Sequence, residues 1–344
     1  MAAPLSEKTA LSIKQFLAAN EIPSETHLEL ISNREGRSVV HLNQEGLDYT
    51  IKWFSPDRPA LKDEFERENH FYILLKPLQT GKTPVLLRSD DSSQALLLSR
   101  IAGRGMRETE IDRRAVEQAA AFLLDINREH ESDLARTSSK ALGACFAINE
   151  HLTAVSELVT AIQQYLPSVN PQTRLFIDDE LSPVWQKVLG NILTQFQTAA
   201  IDIEQPIAEN SRILSPGEFG FHNAIVTPER EICFVDFDQS GWDDPARLIC
   251  RFFTIGPIPP KEAHWDTIID SLAQVPELDP QFAIRARLLL PAYQIARACT
   301  PILKCLQDDA RAHEESEGAP HSKTKLITIT NRSRQWLIKA NQGL

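Results

Sequence analysis

Hydrophobic residues return with a helical period over residues 6–20, where Leu11, Ile13, Phe16 and Leu17 fall near one face and Pro23 closes the segment. Then the period changes. Leu28-Glu29-Leu30-Ile31, Ser38-Val39-Val40-His41-Leu42 and Leu47-Asp48-Tyr49-Thr50-Ile51-Lys52-Trp53-Phe54 are short runs rich in β-branched and aromatic residues. The separators 33–37 and 43–46 have turn character, so an antiparallel meander is predicted. A charged helix over about 60–75 follows, with Phe65, Tyr72 and Leu75 available for packing. Residues 84–87 and 95–100 read as two further strands around the polar turn 89–93, and the set ends at Ile101-Ala102-Gly103, where glycine permits a change of direction.

After Gly103 helical periodicity dominates, over 107–130, 146–165, 179–199, 261–275 and 280–306. One island, 213–237, keeps strand-and-turn character, and Pro257, Pro259 and Pro260 mark a loop after it. The acidic, histidine-containing run 307–322 reads as an exposed loop or frayed helix end. The expected organisation is a small sheet lobe over 1–102 followed by a helical lobe over 103–344.

Composition narrows the function classes. The chain has 344 residues and a 42% apolar share, enough for a real core and for two domains. No apolar run reaches the roughly 18 residues that a membrane-spanning helix needs. Residues 1–15 mix Glu7, Lys8 and Lys14 among apolar positions, without a signal-peptide core. The five cysteines are widely spaced, with no CxxC and no zinc-type cluster, which predicts buried reduced thiols and a cytoplasmic protein. A formal charge of −11 argues against nucleic acid as the main partner, because counterion release needs clustered Lys and Arg. It suits a cationic small molecule or a site where metal offsets acids, although most acidic surfaces are simply solvated.

The candidate chemistry lies in the island. Ser215-Pro216-Gly217-Glu218-Phe219-Gly220-Phe221-His222-Asn223-Ala224-Ile225-Val226 leads through a turn at 227–231 into Ile232-Cys233-Phe234-Val235-Asp236-Phe237-Asp238. A hairpin of this kind returns the acid at its far end to the loop at its start, so Glu218, Asn223 and Asp236 are predicted to converge. Two carboxylates and an amide oxygen are hard ligands of the type magnesium prefers when phosphates complete its shell. Phosphoryl transfer asks for little more than positioned metal and one group that orients the attacking hydroxyl.

An acid, four intervening residues, Asn, and then Asp after a short hairpin resemble the protein-kinase-like superfamily, and within it the aminoglycoside phosphotransferase and choline kinase family. The continuation Gly241-Trp242-Asp243-Asp244-Pro245 is similar to the stretch that follows the metal Asp in those relatives. The resemblance covers nearly the whole chain in order of elements and is specific over about 210–250. It implies an α+β, protein-kinase-like two-lobed fold with a small antiparallel-sheet N-lobe and a larger, mostly helical C-lobe. It also implies ATP and Mg2+ as cofactors and a small hydroxylated substrate. Lys52, costly inside an apolar strand without an anionic partner, is implied to hold the α- and β-phosphates together with Glu68; Glu64 and Glu66 are alternatives in an uncertain helix register. The segment 98–103, including Ser99 and Ile101, resembles the hinge whose backbone meets adenine. Residues 33–37 occupy the place of the phosphate-covering loop, with Gly36 alone where the signature is Gly-rich.

Three departures stand out: Glu218 replaces the usual catalytic Asp, Pro216 the His before it, and Gly220 a Lys or His that contacts phosphate. A misplacement of about an ångström, such as one extra methylene brings, can cost about a hundredfold in rate. In a loose phosphoryl-transfer transition state, however, the base matters less than electrostatics. A catalytically dead, nucleotide-binding pseudokinase is therefore the alternative. Other residues have plainer readings beside the functional ones. Lys52 alone reads as a strand-edge lysine, Glu218 as a turn cap and Asn223 as bonded to its own loop. His222 reads as a packed or hydrogen-bonded loop residue, Trp242 as core and Asp244 as a helix-capping acid. Asp238 stays open between metal support and surface.

Overall fold

The computed structural model describes residues 7–20, 22, 27–34, 36–44, 47–78, 80–128, 130, 132–315 and 323–342. Pro23, Glu35, Glu45, Gly46 and the end of the acidic run, 316–322, lie outside these residues. In chain order the elements are α1 (Glu7–Ala19), β1 (His27–Arg34), β2 (Arg37–Gln44), β3 (Leu47–Phe54), α2 (Pro59–Leu75), β4 (Leu86–Asp90), β5 (Ala95–Ser99), β6 (Arg104–Gly105), α3 (Arg113–Ile126), α4 (Asp133–Arg136), α5 (Ile148–Gln163), α6 (Pro171–Leu175) and α7 (Ser182–Thr198). Then follow β7 (Ile213–Ser215), β8 (Ala224–Val226), β9 (Ile232–Phe234), β10 (Gly241–Asp243), α8 (Pro245–Thr254), α9 (Trp265–Leu272), α10 (Phe282–Glu315) and α11 (Lys323–Gln342). By internal packing the chain divides into two units. Unit 1 comprises Met1–Gly143, Ile213–Trp242 and Gly256–Pro276; unit 2 comprises Ala144–Arg212, Asp243–Ile255 and Glu277–Leu344.

Unit 1 is built on a five-stranded antiparallel sheet of order β1-β2-β3-β5-β4, so the predicted meander forms and β5 inserts beside β3. Side chains alternate across β3. Ile51 and Trp53 face α1, where they join Val40, Leu42, Ala95, Leu97, Ile13, Phe16 and Leu17 in one core. The opposite phase of β3 carries Thr50, Lys52 and Phe54, and Phe54 meets Phe65 of α2 at 6.0 Å between ring centroids. A one-residue slip would exchange these faces, so the apolar pattern itself fixes where Lys52 points. β4 begins two residues later than predicted and runs to Asp90. Its Leu87, Arg88 and Ser89 are exposed, as an edge strand allows, and so carry little apolar signal.

A second, small sheet of order β6-β8-β9 holds the predicted hairpin, with Ala224, Ile225 and Val226 opposite Phe234, Cys233 and Ile232. Gly103 is needed here for close approach: a Cβ on it would lie 2.5 Å from the Val226 carbonyl oxygen. Beneath the hairpin Phe122 of α3 stacks on Phe234 (5.0 Å), Phe219 (6.0 Å) and Phe237 (6.4 Å), all fully or nearly fully buried.

Unit 2 is helical, with α10 packing on α5, α7, α8 and α11. α8 and α11 lie outside the predicted helices, and 307–315, predicted as loop or frayed helix end, continues α10 to Glu315. α11 carries three Thr, three Ile and two Asn, all weaker helix formers than Ala or Leu, and its buried stripe of Leu326, Thr330, Ser333, Leu337 and Ala340 contains two hydroxyls. Its apolar signal is therefore weak, and packing along α10 supplies what propensity does not. No described helix is long and apolar enough to cross a membrane.

Because four phenylalanines share one stack, Phe122→Ala is expected to destabilise the protein by about 3–5 kcal/mol in urea unfolding monitored by circular dichroism. A loss below about 1 kcal/mol would contradict the packing described.

Candidate phosphoryl-transfer site

The centre of the site is Lys52, 6% exposed on the middle strand of the sheet. Its Nζ lies 2.5 Å from Oε2 of Glu68 and 3.7 Å from Oδ2 of Asp238, and it donates a hydrogen bond to Oδ1 of Asp236. Glu68 is fully buried. It occupies the apolar stripe of α2, spaced with Leu61, Phe65, Tyr72 and Leu75, and this spacing selects it over its neighbours. Glu64 instead accepts from Arg37 Nε at 2.6 Å, and Glu66 is exposed beside Lys62. The other oxygen of Glu68 accepts from the Phe237 N–H at 3.4 Å, tying α2 to the segment just past the hairpin.

That segment is strained. Asp236 has φ +72°, a left-handed conformation that costs a non-glycine residue of order 1–3 kcal/mol and recurs at functional sites. Phe237 secures it from behind, packed on Phe71 at 4.9 Å and Tyr72 at 5.2 Å. The hairpin closes as predicted, since the Val235 N–H donates to the Asn223 carbonyl at 3.0 Å. Asn223 spends its Nδ2 on the Glu218 carbonyl at 3.1 Å, which orients the amide and leaves Oδ1 for another partner. Glu218 itself is half-buried on the loop between β7 and the short turn 221–223. Gly217, at φ +89°, lets this loop run against the backbone of Gln239, where a Cβ would come within 2.5 Å.

The electrostatics follow from burying one ammonium among three carboxylates. Burial works against the charge on Lys52, yet Asp236, Glu68 and Asp238 hold its pKa well above the ordinary lysine value. Burial pushes Glu68 up to about 7 against the pull of Lys52, and Asp238 up to about 6. For Asp236 burial acts in the same direction, but the charge and hydrogen bond of Lys52 outweigh it and keep the carboxyl below its usual range. The side chain of Asp236 also retains 41% exposure, so this acid is both ionised and reachable.

The donor set suits a divalent cation. One oxygen from each of Glu68, Asp236 and Asp238 falls within 4.8 Å of the others, and the carboxylates outnumber the ammonium among them. Asp238 is 7% exposed and belongs to the cluster, which excludes the surface reading of this residue. Arg37, which is not among the predicted site residues, also joins the cluster: it follows the Gly36 turn and reaches Glu64 and, at 3.5 Å, Asp238. Its place in the covering loop was the available signal. Ser99 ends β5, where its N–H donates to the Val85 carbonyl at 2.9 Å and its hydroxyl accepts from the Val85 N–H at 2.8 Å. Ile101 is half-buried two residues on, outside any strand or helix.

No protein-family model and no curated protein sequence matches the chain. Solved structures do. The spectinomycin phosphotransferase APH(9)-Ia, crystallised with ADP and spectinomycin, superimposes with a TM-score of 0.60 at 10% identity over 99% of this chain and 100% of its own. The choline kinase LicA from Streptococcus pneumoniae gives 0.55 at 15% identity, over 95% and 98%. A Plasmodium vivax ethanolamine kinase gives 0.53 at 13% identity, over 97% and 89%. The fold is that of the aminoglycoside and choline kinases. Within this two-lobed, protein-kinase-like α+β fold, the cluster around Lys52 lies wholly in unit 1. Asp244 of unit 2 is a helix cap as expected, its carboxylate accepting from the Ala246 N–H at 2.8 Å. Trp242 is half-buried, with its indole N–H donated to the Ala135 carbonyl at 3.1 Å.

Removing the ammonium alone strands buried acids, so Lys52→Met is expected to cost about 3–5 kcal/mol in urea unfolding. The double variant Lys52→Met, Glu68→Leu should recover at least about 1 kcal/mol of that loss, because both members of a buried pair are then replaced by apolar groups. Additive losses would contradict the pairing.

Proposed function

We propose that the chain is an ATP-dependent phosphotransferase that moves the γ-phosphoryl group to a hydroxyl of a small molecule such as an aminoglycoside, a sugar or choline. The observation that carries this reading is the single cluster of Lys52, Glu68, Asp236 and Asp238, formed on a fold whose solved examples include complexes with ADP and spectinomycin, streptomycin and ATP, and AMP.

In this reading Lys52, oriented by Glu68, binds the α- and β-phosphates. Asp236 and the free oxygen of Asn223 hold Mg2+, with Asp238 beside them. Bound magnesium supplies neutralisation of charge on the phosphate oxygens as it is redistributed toward the leaving group. Glu218 orients the acceptor hydroxyl and takes its proton as the new O–P bond forms and the bond from Pγ to the ADP oxygen breaks. Adenine lies along the backbone of the 99–101 segment, with Ser99 as part of its frame and Ile101 offering main-chain groups. The assignment of 1–102 to nucleotide binding and of 103–344 to the catalytic loop and acceptor site belongs to the same proposal, as does a cytoplasmic setting for the reduced cysteines.

A second reading has its own observation: Glu218 and Pro216 stand where an active relative has Asp and His. It makes the chain a pseudokinase that binds nucleotide and acts through a partner. Turnover separates the two. With ATP, Mg2+ and a panel of hydroxylated compounds, ADP release is expected from the parent protein, is abolished in Asp236→Ala, and falls by about 10²–10⁴-fold in Glu218→Gln. Thermal stabilisation by ATP without turnover on any compound would favour the pseudokinase. No stabilisation by nucleotide would overturn both.

A further inference from the structure

Unit 2 contains a buried polar chain that phosphoryl transfer does not use. Asp244 lies at its middle, fully buried, with one carboxylate oxygen shared by His151 Nε2 at 3.1 Å and by Arg285 Nη2. His151 continues through Nδ1 to the Tyr293 hydroxyl at 2.7 Å. Arg285 is only 5% exposed, yet Asp244 is the one acceptor for its side chain among the described residues, and its buried Nε–H meets none. A guanidinium carries five N–H donors, and each buried donor left without an acceptor costs about 1–3 kcal/mol.

Arg285 is also part of the wall of a cavity of about 330 Å3 made entirely from unit 2. This volume lies in the range of small-molecule sites, about 300–1,000 Å3. Buried Ile148 and Ile207 provide apolar wall. The first turn of α10, to which Arg285 belongs, adds the positive end of a long helix dipole. Two acids also line the cavity, exposed Asp202 and half-exposed Asp279. Each engages one oxygen in a local turn, with the N–H of Glu204 and of Gln281 respectively, both at 2.9 Å. A simple anion would be repelled by these two carboxylates. A simple cation would find a buried guanidinium already in place. A molecule carrying both charges meets complementary groups at both ends.

We infer that this cavity binds a small zwitterion of the amino acid class, its carboxylate taken by Arg285 and the α10 N-terminus and its ammonium by Asp202 and Asp279. The inference does not depend on phosphoryl transfer, because binding alone tests it.

Isothermal titration of the full chain with a panel of neutral L-amino acids, each paired with its decarboxylated amine and its deaminated acid, is the experiment. At least one amino acid should saturate with a Kd at or below about 1 mM, and both of its single-charge analogues should bind at least about tenfold more weakly. Arg285→Lys should weaken binding about tenfold or more. Since that buried change can disturb folding, Ala208→Trp, on the exposed rim, serves as the second variant; it should abolish binding while leaving the circular dichroism spectrum unchanged. The inference is overturned if no amino acid saturates, if the analogues bind equally well, or if Ala208→Trp binds as the parent does.

Discussion

Everything at the proposed phosphoryl-transfer site depends on one ammonium group. Lys52 sits in the interior of a sheet, where an unpaired charge would be prohibitively unstable, and it is accommodated because carboxylates arrive from two other elements. One of them lies 184 residues further along the chain. The pairing therefore constrains three things at once: the phase of β3, the rotation of α2 about its axis, and the return of the hairpin that carries Asp236. It also explains why Asp236 tolerates a left-handed backbone, because the lysine in front and the Phe237 stack behind hold it there.

Acids outnumber the ammonium, Glu68 and Asp238 are pushed up by burial, and Arg37 brings a second cation to Glu64 and Asp238. A divalent cation would offset part of this excess negative charge. In the proposed reaction the departure at Glu218 concerns the orientation of the acceptor, and Glu218 is not among the acids paired with Lys52.

Much of this was legible in the sequence because the signals were local and periodic. Period-two runs placed the β3 strand and so the burial of Lys52, and the turn between two short apolar runs placed Asn223 opposite Val235. Choosing among Glu64, Glu66 and Glu68 needed only the α2 stripe through Leu61, Phe65, Tyr72 and Leu75. What stayed hidden was tertiary. Arg37 reaches Asp238 through space, α11 owes its helicity to packing on α10 rather than to its own Thr-rich sequence, and the His151–Asp244–Arg285 chain joins residues with no shared motif. The order of pairing partners in a contact network is not written in any single segment.

The most direct test of the central claim is a crystal structure with Mg2+ and a non-hydrolysable ATP analogue. The Lys52 ammonium is expected on the α- and β-phosphates while still paired to Glu68, and the metal on Asp236 and Asn223. A nucleotide bound elsewhere, with Lys52 still enclosed by its acids and Asp236 free of metal, would contradict it.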